Sequence, residues 1–254
     1  MADSERRVVV SGGSGGIGRA IVFALASEGD EVIALGRDSG RLAAMERRAR
    51  AHGLNVTTRI CDITDEQAVE SLADGLGEVS VLVNNAGTAQ SAPLRGTNLD
   101  LWDTHLRTNT TSAFLLTRAL LPGMLARDRG RIVFIASTAA HTGSRYTAAY
   151  TASKHAMLGL ARAVAAEVVG TGVTSNAVCP SFVRTPMTER SVARIAERTG
   201  RGLEQAEATL ATTSPLGRLI EPDEVAAAVT YLASPLAGAV NGQSLTIDGG
   251  GTHR

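Results

Sequence analysis

Arg7-Val8-Val9-Val10-Ser11-Gly12-Gly13-Ser14-Gly15-Gly16-Ile17-Gly18 decides the fold: a run of valines passes directly into a glycine-rich turn, and an apolar-striped segment, Ile17 to Ser27, follows. β-branched residues in a short continuous run read as a strand buried on both faces. Glycines let a backbone approach a pyrophosphate closely, and the first turn of a helix presents free N–H groups and the positive end of its dipole. A strand before and a helix after is the context in which such glycines read as a dinucleotide site rather than a turn for chain reversal. Gly12, Ser14, Gly16, Ile17 and Gly18 are therefore expected to hold a dinucleotide.

The same alternation continues outward. Strands are expected at Glu31 to Leu35, Val56 to Ile60, Val79 to Val83, Arg131 to Ala136, Val173 to Val178 and Ser244 to Ile247. Between them lie helix-period segments: Leu42 to Ala51, a helix from Asp65, a long stretch within Leu99 to Leu125, Ala149 to Val169, and a helix starting at Pro222, where proline suits the first turn. Thr64 and Gln67 have capping-box spacing. Residues 186–215 are too long for a plain connection and are expected to fold into small helices. Right-handed crossovers then give an α/β fold, a doubly wound Rossmann-type parallel sheet of about seven strands with helices on both faces, in one domain over residues 1–254.

Composition excludes several classes. The chain has 25 basic and 25 acidic residues among 254, so no basic nucleic-acid footprint is expected. Two distant cysteines, Cys61 and Cys179, exclude a disulfide scaffold, and five histidines without ligand spacing make a metal site unexpected. No apolar run reaches membrane length, and the polar N-terminus does not read as a signal peptide; the expectation is a cytoplasmic protein without membrane or nucleic-acid partners. All basic residues but one are arginine, and the exception is Lys154. A lysine kept in that background marks a position arginine does not fill.

Lys154 lies four residues after Tyr150, so the two share one helix face. Chance places the only lysine there at about one in a hundred, given three tyrosines. A phenol near its ordinary pKa of ~10 is a poor acid or base at neutral pH, and a neighbouring ammonium is expected to lower that value. Ser137 ends the fifth strand, where doubly wound sheets place their ligands, and is expected to hold a substrate oxygen. At the end of the second strand, Arg37 offers a fork to a ribose 2′-phosphate, favouring NADP(H) over NAD(H); the bland alternative is a surface arginine paired with Asp38. Asp62 fits an adenine amino group, or equally a helix N-terminal charge beside Thr64. Asn84-Asn85-Ala86-Gly87 could join strand ends to a cofactor ribose.

Together these residues resemble the short-chain dehydrogenases/reductases of the shorter type, over almost the whole chain, with 3-oxoacyl-carrier-protein reductases as the nearest pattern. The resemblance implies catalytic roles for Asn109, Ser137, Tyr150 and Lys154, with Asn109 ordering a water beside the lysine. It implies cofactor contacts from Gly12-x3-Gly16-Ile17-Gly18, Asn85, Gly87, Tyr150 and Lys154. It also implies them from Pro180, Val183 and Thr185, which follow Asn176-Ala177-Val178-Cys179, and it matches Asp248-Gly249-Gly250 to a C-terminal signature. Ser181 replaces the usual glycine and would be strained if that glycine needs positive φ; Ser11 replaces a threonine but keeps the hydroxyl. The implied activity is NADP(H)-dependent reduction of a ketone, a 3-oxoacyl thioester or polyketide-like substrate of the CoA- or carrier-protein-linked kind, by a homotetramer. The alternatives are an NAD-dependent secondary-alcohol dehydrogenase, acting on a 3-hydroxybutyrate-like or cyclic alcohol, and a non-catalytic dinucleotide-binding protein. The resemblance makes residues 186–215 a substrate lid, on which Arg190, Arg194 and Arg198 form a ridge. That ridge reads first as a solvated face offset by Glu189 and Glu197, and otherwise as an anion contact.

Overall fold

The computed structural model describes residues 6–212 and 214–253; the polar N-terminus (1–5), Thr213 and Arg254 lie outside the described residues. Seven strands form one sheet: β1 (Arg7–Ser11), β2 (Glu31–Gly36), β3 (Val56–Ile60), β4 (Val81–Asn84), β5 (Gly130–Ile135), β6 (Val173–Pro180) and β7 (Ser244–Ile247). Their order is β3-β2-β1-β4-β5-β6-β7, and every neighbouring pair is parallel. The order reverses between β1 and β4, so the C-terminal ends of these two strands flank the crevice where open α/β sheets bind ligands.

Both faces are covered. α3 (Glu66–Leu76), α5 (Ser112–Ala126) and α6 (Ala148–Glu167) pack on one face, where Val69, Leu116 and Met157 meet Val9, Leu82 and Phe134. α1 (Gly16–Ser27), α2 (Ser39–Ala51) and α9 (Pro222–Ala233) cover the other, where Ile21, Met45 and Val229 meet Val8, Val10 and Val83. Val9 and Val10 thus serve opposite cores, the period-2 alternation of a strand buried on both sides.

Three details differ from the sequence reading. The long helical stretch is α4 (Leu99–Leu106), a π-helical turn (Arg107–Thr111) and α5, continuous but wound wider at Asn109. Thr64 and Gln67 do not form a capping box. α3 is capped by Asp65, whose carboxylate accepts from Ala68 N at 3.0 Å, while the Thr64 hydroxyl and amide both turn back to Asp62 Oδ1, at 2.8 and 3.0 Å. A carboxylate one residue nearer the helix takes the cap because the hydroxyl is already committed. Ser181 is unstrained: among described non-glycine residues only Asp128 and Tyr146 have positive φ, and Ser181 N instead donates to Ile247 O at 3.0 Å.

Residues 186–215 form α7 (Pro186–Thr199) and α8 (Leu203–Ala211), which close over a small core of Val192, Ala206, Leu210 and Leu219.

Candidate active site

The glycine turn is shaped by close contact. Gly12 and Gly16 have φ of +64° and +50°, a region glycine enters without a Cβ penalty. A Cβ on Gly18 would sit 2.2 Å from Gly12 O, and one on Gly12 would sit 2.9 Å from Ala86 Cα. No side chain caps α1 and no acidic residue lies in its first turn. The N–H groups there remain available to an anion, which is the fit a pyrophosphate requires. Thr185, the N-cap of α7, closes against this turn, its Cγ2 3.3 Å from a Cβ built on Gly16. Val183 is buried and bridges to Ile220, which fixes the segment between Pro180 and Thr185.

β1 and β4 are stitched together beside the turn. Ser11 Oγ accepts from Asn85 N and Ala86 N, each at 3.0 Å, and Asn85 Nδ2 donates to Ser11 O at 2.9 Å and Gly12 O at 3.2 Å. The hydroxyl that Ser11 shares with threonine is therefore in use. Arg37 and Asp62 follow the ends of the neighbouring strands β2 and β3 by one and two residues, and both side chains are exposed. Asp38 does not pair with Arg37; it caps α2 through Arg41 N at 2.9 Å and pairs with the Arg41 side chain at 3.4 Å. Hydrogen bonds from Thr64 hold the Asp62 carboxyl below its ordinary range, with smaller help from the charges of Arg37 and Arg107.

Ser137, Tyr150, Lys154 and Asn109 converge at the other side of the crevice. Ser137 follows β5 in extended backbone and its Oγ accepts from Ala139 N at 3.1 Å. Lys154 is buried; its Nζ donates to Ile135 O at 2.8 Å and lies 5.8 Å from the Tyr150 ring centroid. Asn109 is fully buried at the π turn, and both hydrogens and the oxygen of its amide are engaged. Oδ1 accepts from Thr88 N at 2.7 Å, and Nδ2 donates to Thr88 O at 3.0 Å and Ser153 Oγ at 2.8 Å. Ser153 Oγ in turn donates to Tyr150 O at 2.7 Å. Gly87 completes the group: a Cβ there would meet Asn109 Oδ1 at 3.2 Å and Lys154 Nζ at 3.7 Å.

The electrostatics correct one expectation. Burial pushes the Tyr150 phenol above its ordinary value, and the hydrogen bond with Ser137 only partly offsets this. Lys154 reaches over the ring and to a backbone carbonyl, so its ammonium does not lower the phenol as expected; desolvation instead pulls Lys154 down to about 8. Cys179 packs behind the group, where burial raises its thiol to about 11 and keeps it uncharged.

Ser153 and Thr88 were not legible from spacing alone, because their contacts arise only when the π turn carries Asn109 toward α6. Among the described residues no group of three or more His, Cys, Asp or Glu could hold a metal ion, and no helix is long and apolar enough to cross a membrane. On the ridge, Arg190 and Arg198 are exposed and Arg194 is half-buried, with Glu189 and Glu197 exposed on the same helix.

A family model described as Enoyl-(Acyl carrier protein) reductase matches residues 12–252. The chain is 39% identical over 248 residues to a granaticin polyketide synthase putative ketoacyl reductase of Streptomyces violaceoruber, covering 95% of this chain and 91% of the relative. It is 35% identical over 250 residues to a D-beta-hydroxybutyrate dehydrogenase of Cupriavidus necator, covering 96% and 97%. A crystal structure of an actinorhodin polyketide ketoreductase variant with NADPH superposes with a TM-score of 0.95 at 35% identity, over 100% of both chains.

Proposed function

The chain belongs to the short-chain dehydrogenases/reductases, and from that premise we propose that it reduces a ketone to a secondary alcohol with NADPH. The observation that carries this reading is the convergence of Ser137, Tyr150, Lys154 and Asn109 at the strand ends facing the glycine turn. When bound, the dinucleotide supplies the hydride, and the protein supplies position and electrostatics. The Ser137 hydroxyl orients the substrate oxygen. Tyr150 gives its phenolic proton to that oxygen as the carbonyl electron pair moves onto it. Burial keeps the phenol protonated over the working range, which suits an acid in the reductive direction. Lys154 holds the ribose hydroxyls and returns a proton to the phenolate, recovering its own from solvent water, and Asn109 fixes the loop and helix on either side.

Gly12, Ser14, Gly16, Ile17 and Gly18 hold the pyrophosphate, and Asn85 and Gly87 the ribose. Pro180, Val183 and Thr185 hold the nicotinamide side, Asp62 the adenine, and Arg37 the 2′-phosphate. Freedom of Arg37 from Asp38 supports the last role. Ketoacyl reductases and an NADPH complex among the relatives support a 3-oxoacyl thioester or polyketide-like ketone and NADP(H). In this reading the protein is a single-domain homotetramer, residues 186–215 close over the substrate, and Arg190, Arg194 and Arg198 face a CoA or carrier-linked phosphate. The test is the initial rate of acetoacetyl-CoA reduction with NADPH and, in parallel, NADH. Turnover preferring NADPH is expected; preference for NADH would overturn the role of Arg37 and favour the 3-hydroxybutyrate-like alternative, and no turnover with either would overturn the thioester assignment.

A further inference from the structure

His105 lies in α4 with no exposed surface, one helical turn before Asn109. Its Nδ1 is 2.7 Å from Leu101 O, which can only accept, so Nδ1 carries a proton. Its Nε2 is 3.0 Å from Gln90 N, which can only donate, so Nε2 is bare. The two partners fix one neutral tautomer. The ring also stands edge-on to Tyr150, with centroids 6.4 Å apart and planes at 79°, a favourable aromatic arrangement. Lys154 Nζ is 5.8 Å from the centroid of the same Tyr150 ring.

The pattern with Asn109 is regular. Asn109 takes the N–H of Thr88 and His105 takes the N–H of Gln90. Four helical residues rise about 6 Å, and two residues of extended chain reach about 6.6 Å. Side chains four apart on the helix therefore match amides two apart in the loop after β4, running in opposite directions.

We propose that His105 is a positioning residue of the active site, clamping the loop after β4 to α4 while bracing the ring of Tyr150. Asn109 holds the loop beside Lys154; His105 holds its outward continuation and the proton donor through one rigid ring. The inference rests on Tyr150 as proton donor, so its test has two independent readouts. His105→Leu keeps the bulk and removes the acceptor. His105→Gln restores an acceptor at similar reach. Gln90→Pro removes the donor at an exposed residue and leaves the core alone.

Amide hydrogen exchange of the loop, measured without substrate, is expected to accelerate in His105→Leu and to return toward wild type in His105→Gln. The kcat for ketone reduction is expected to fall about tenfold or more in His105→Leu and in Gln90→Pro, with the NADPH dissociation constant within about twofold. The double variant is expected to lose no more than the worse single one, because both break the same bond. Unchanged loop exchange in His105→Leu would overturn the clamp whatever the reaction is. Accelerated exchange with wild-type kcat in both single variants would overturn the bracing of Tyr150. A failure of the functional reading shows elsewhere, as wild-type turnover by Tyr150→Phe.

Discussion

Lys154 bears two opposed demands. Burial pulls its pKa down to about 8 from the ordinary lysine value of 10.5, so below about 8 the folded protein carries a charge it would be more stable without. Unfolded chains keep that proton up to ~10.5, and stability contributed by this group rises as pH climbs from about 8 to 10.5. Activity needs the ammonium and should move the other way: kcat/KM for reduction is expected to fall as pH rises through about 8, read from a pH–rate profile. Lys154→Met is accordingly expected to abolish turnover while raising the thermal midpoint by a few degrees at pH 7; a lowered midpoint would show that its bond to Ile135 O outweighs its burial. Arg37 is the second decisive residue. Arg37→Ala is expected to lower kcat/KM with NADPH about tenfold to a hundredfold, the worth of a charge-assisted fork. With NADH it should change less than about twofold, and equal losses with both cofactors would remove the 2′-phosphate contact from the mechanism.

The elements most exposed to single changes are the junctions between strand ends. Ser11 Oγ serves two backbone donors at 3.0 Å; Asn85 N has a second acceptor in Val83 O at 3.1 Å, so Ala86 N is the donor that depends on the hydroxyl. Ser11→Ala is expected to cost about 1–3 kcal/mol in urea unfolding, the cost of leaving the Ala86 N–H without its acceptor, whereas Ser11→Thr should stay near wild type. A neutral Ser11→Ala would mean the stitch is held by Asn85 alone. Elements with strong local signals were legible in the sequence: β3 and β7 have the expected bounds, and α1, α2 and α9 begin within a few residues of their signals. The Thr64 cap was misread because Asp62, two residues earlier, competes for the same hydroxyl. The π turn was not legible. Arg107–Thr111 (Arg-Thr-Asn-Thr-Thr) is poor in strong helix formers, but that composition does not distinguish a widened turn from an ordinary one; its extra width follows from Asn109 reaching Thr88 and Ser153 across the fold.

At the scale of the whole molecule, one sheet supplies the logic. The strand order reverses between β1 and β4, and the glycine turn, Asn85 and Gly87 gather at that point. Tyr150 and Lys154 arrive from α6, two strands away, beside Ser137 at the end of β5. The candidate site was largely legible because Tyr150, Lys154 and the glycines carry their spacing in the sequence. The sign of the Tyr150 shift was not, since burial is a property of the assembled core. The most direct test of the central claim is the single substitution Tyr150→Phe, assayed together for NADPH binding and ketone turnover. The account predicts binding within a few-fold of wild type and turnover lower by at least about a hundredfold; wild-type turnover in that variant would contradict it.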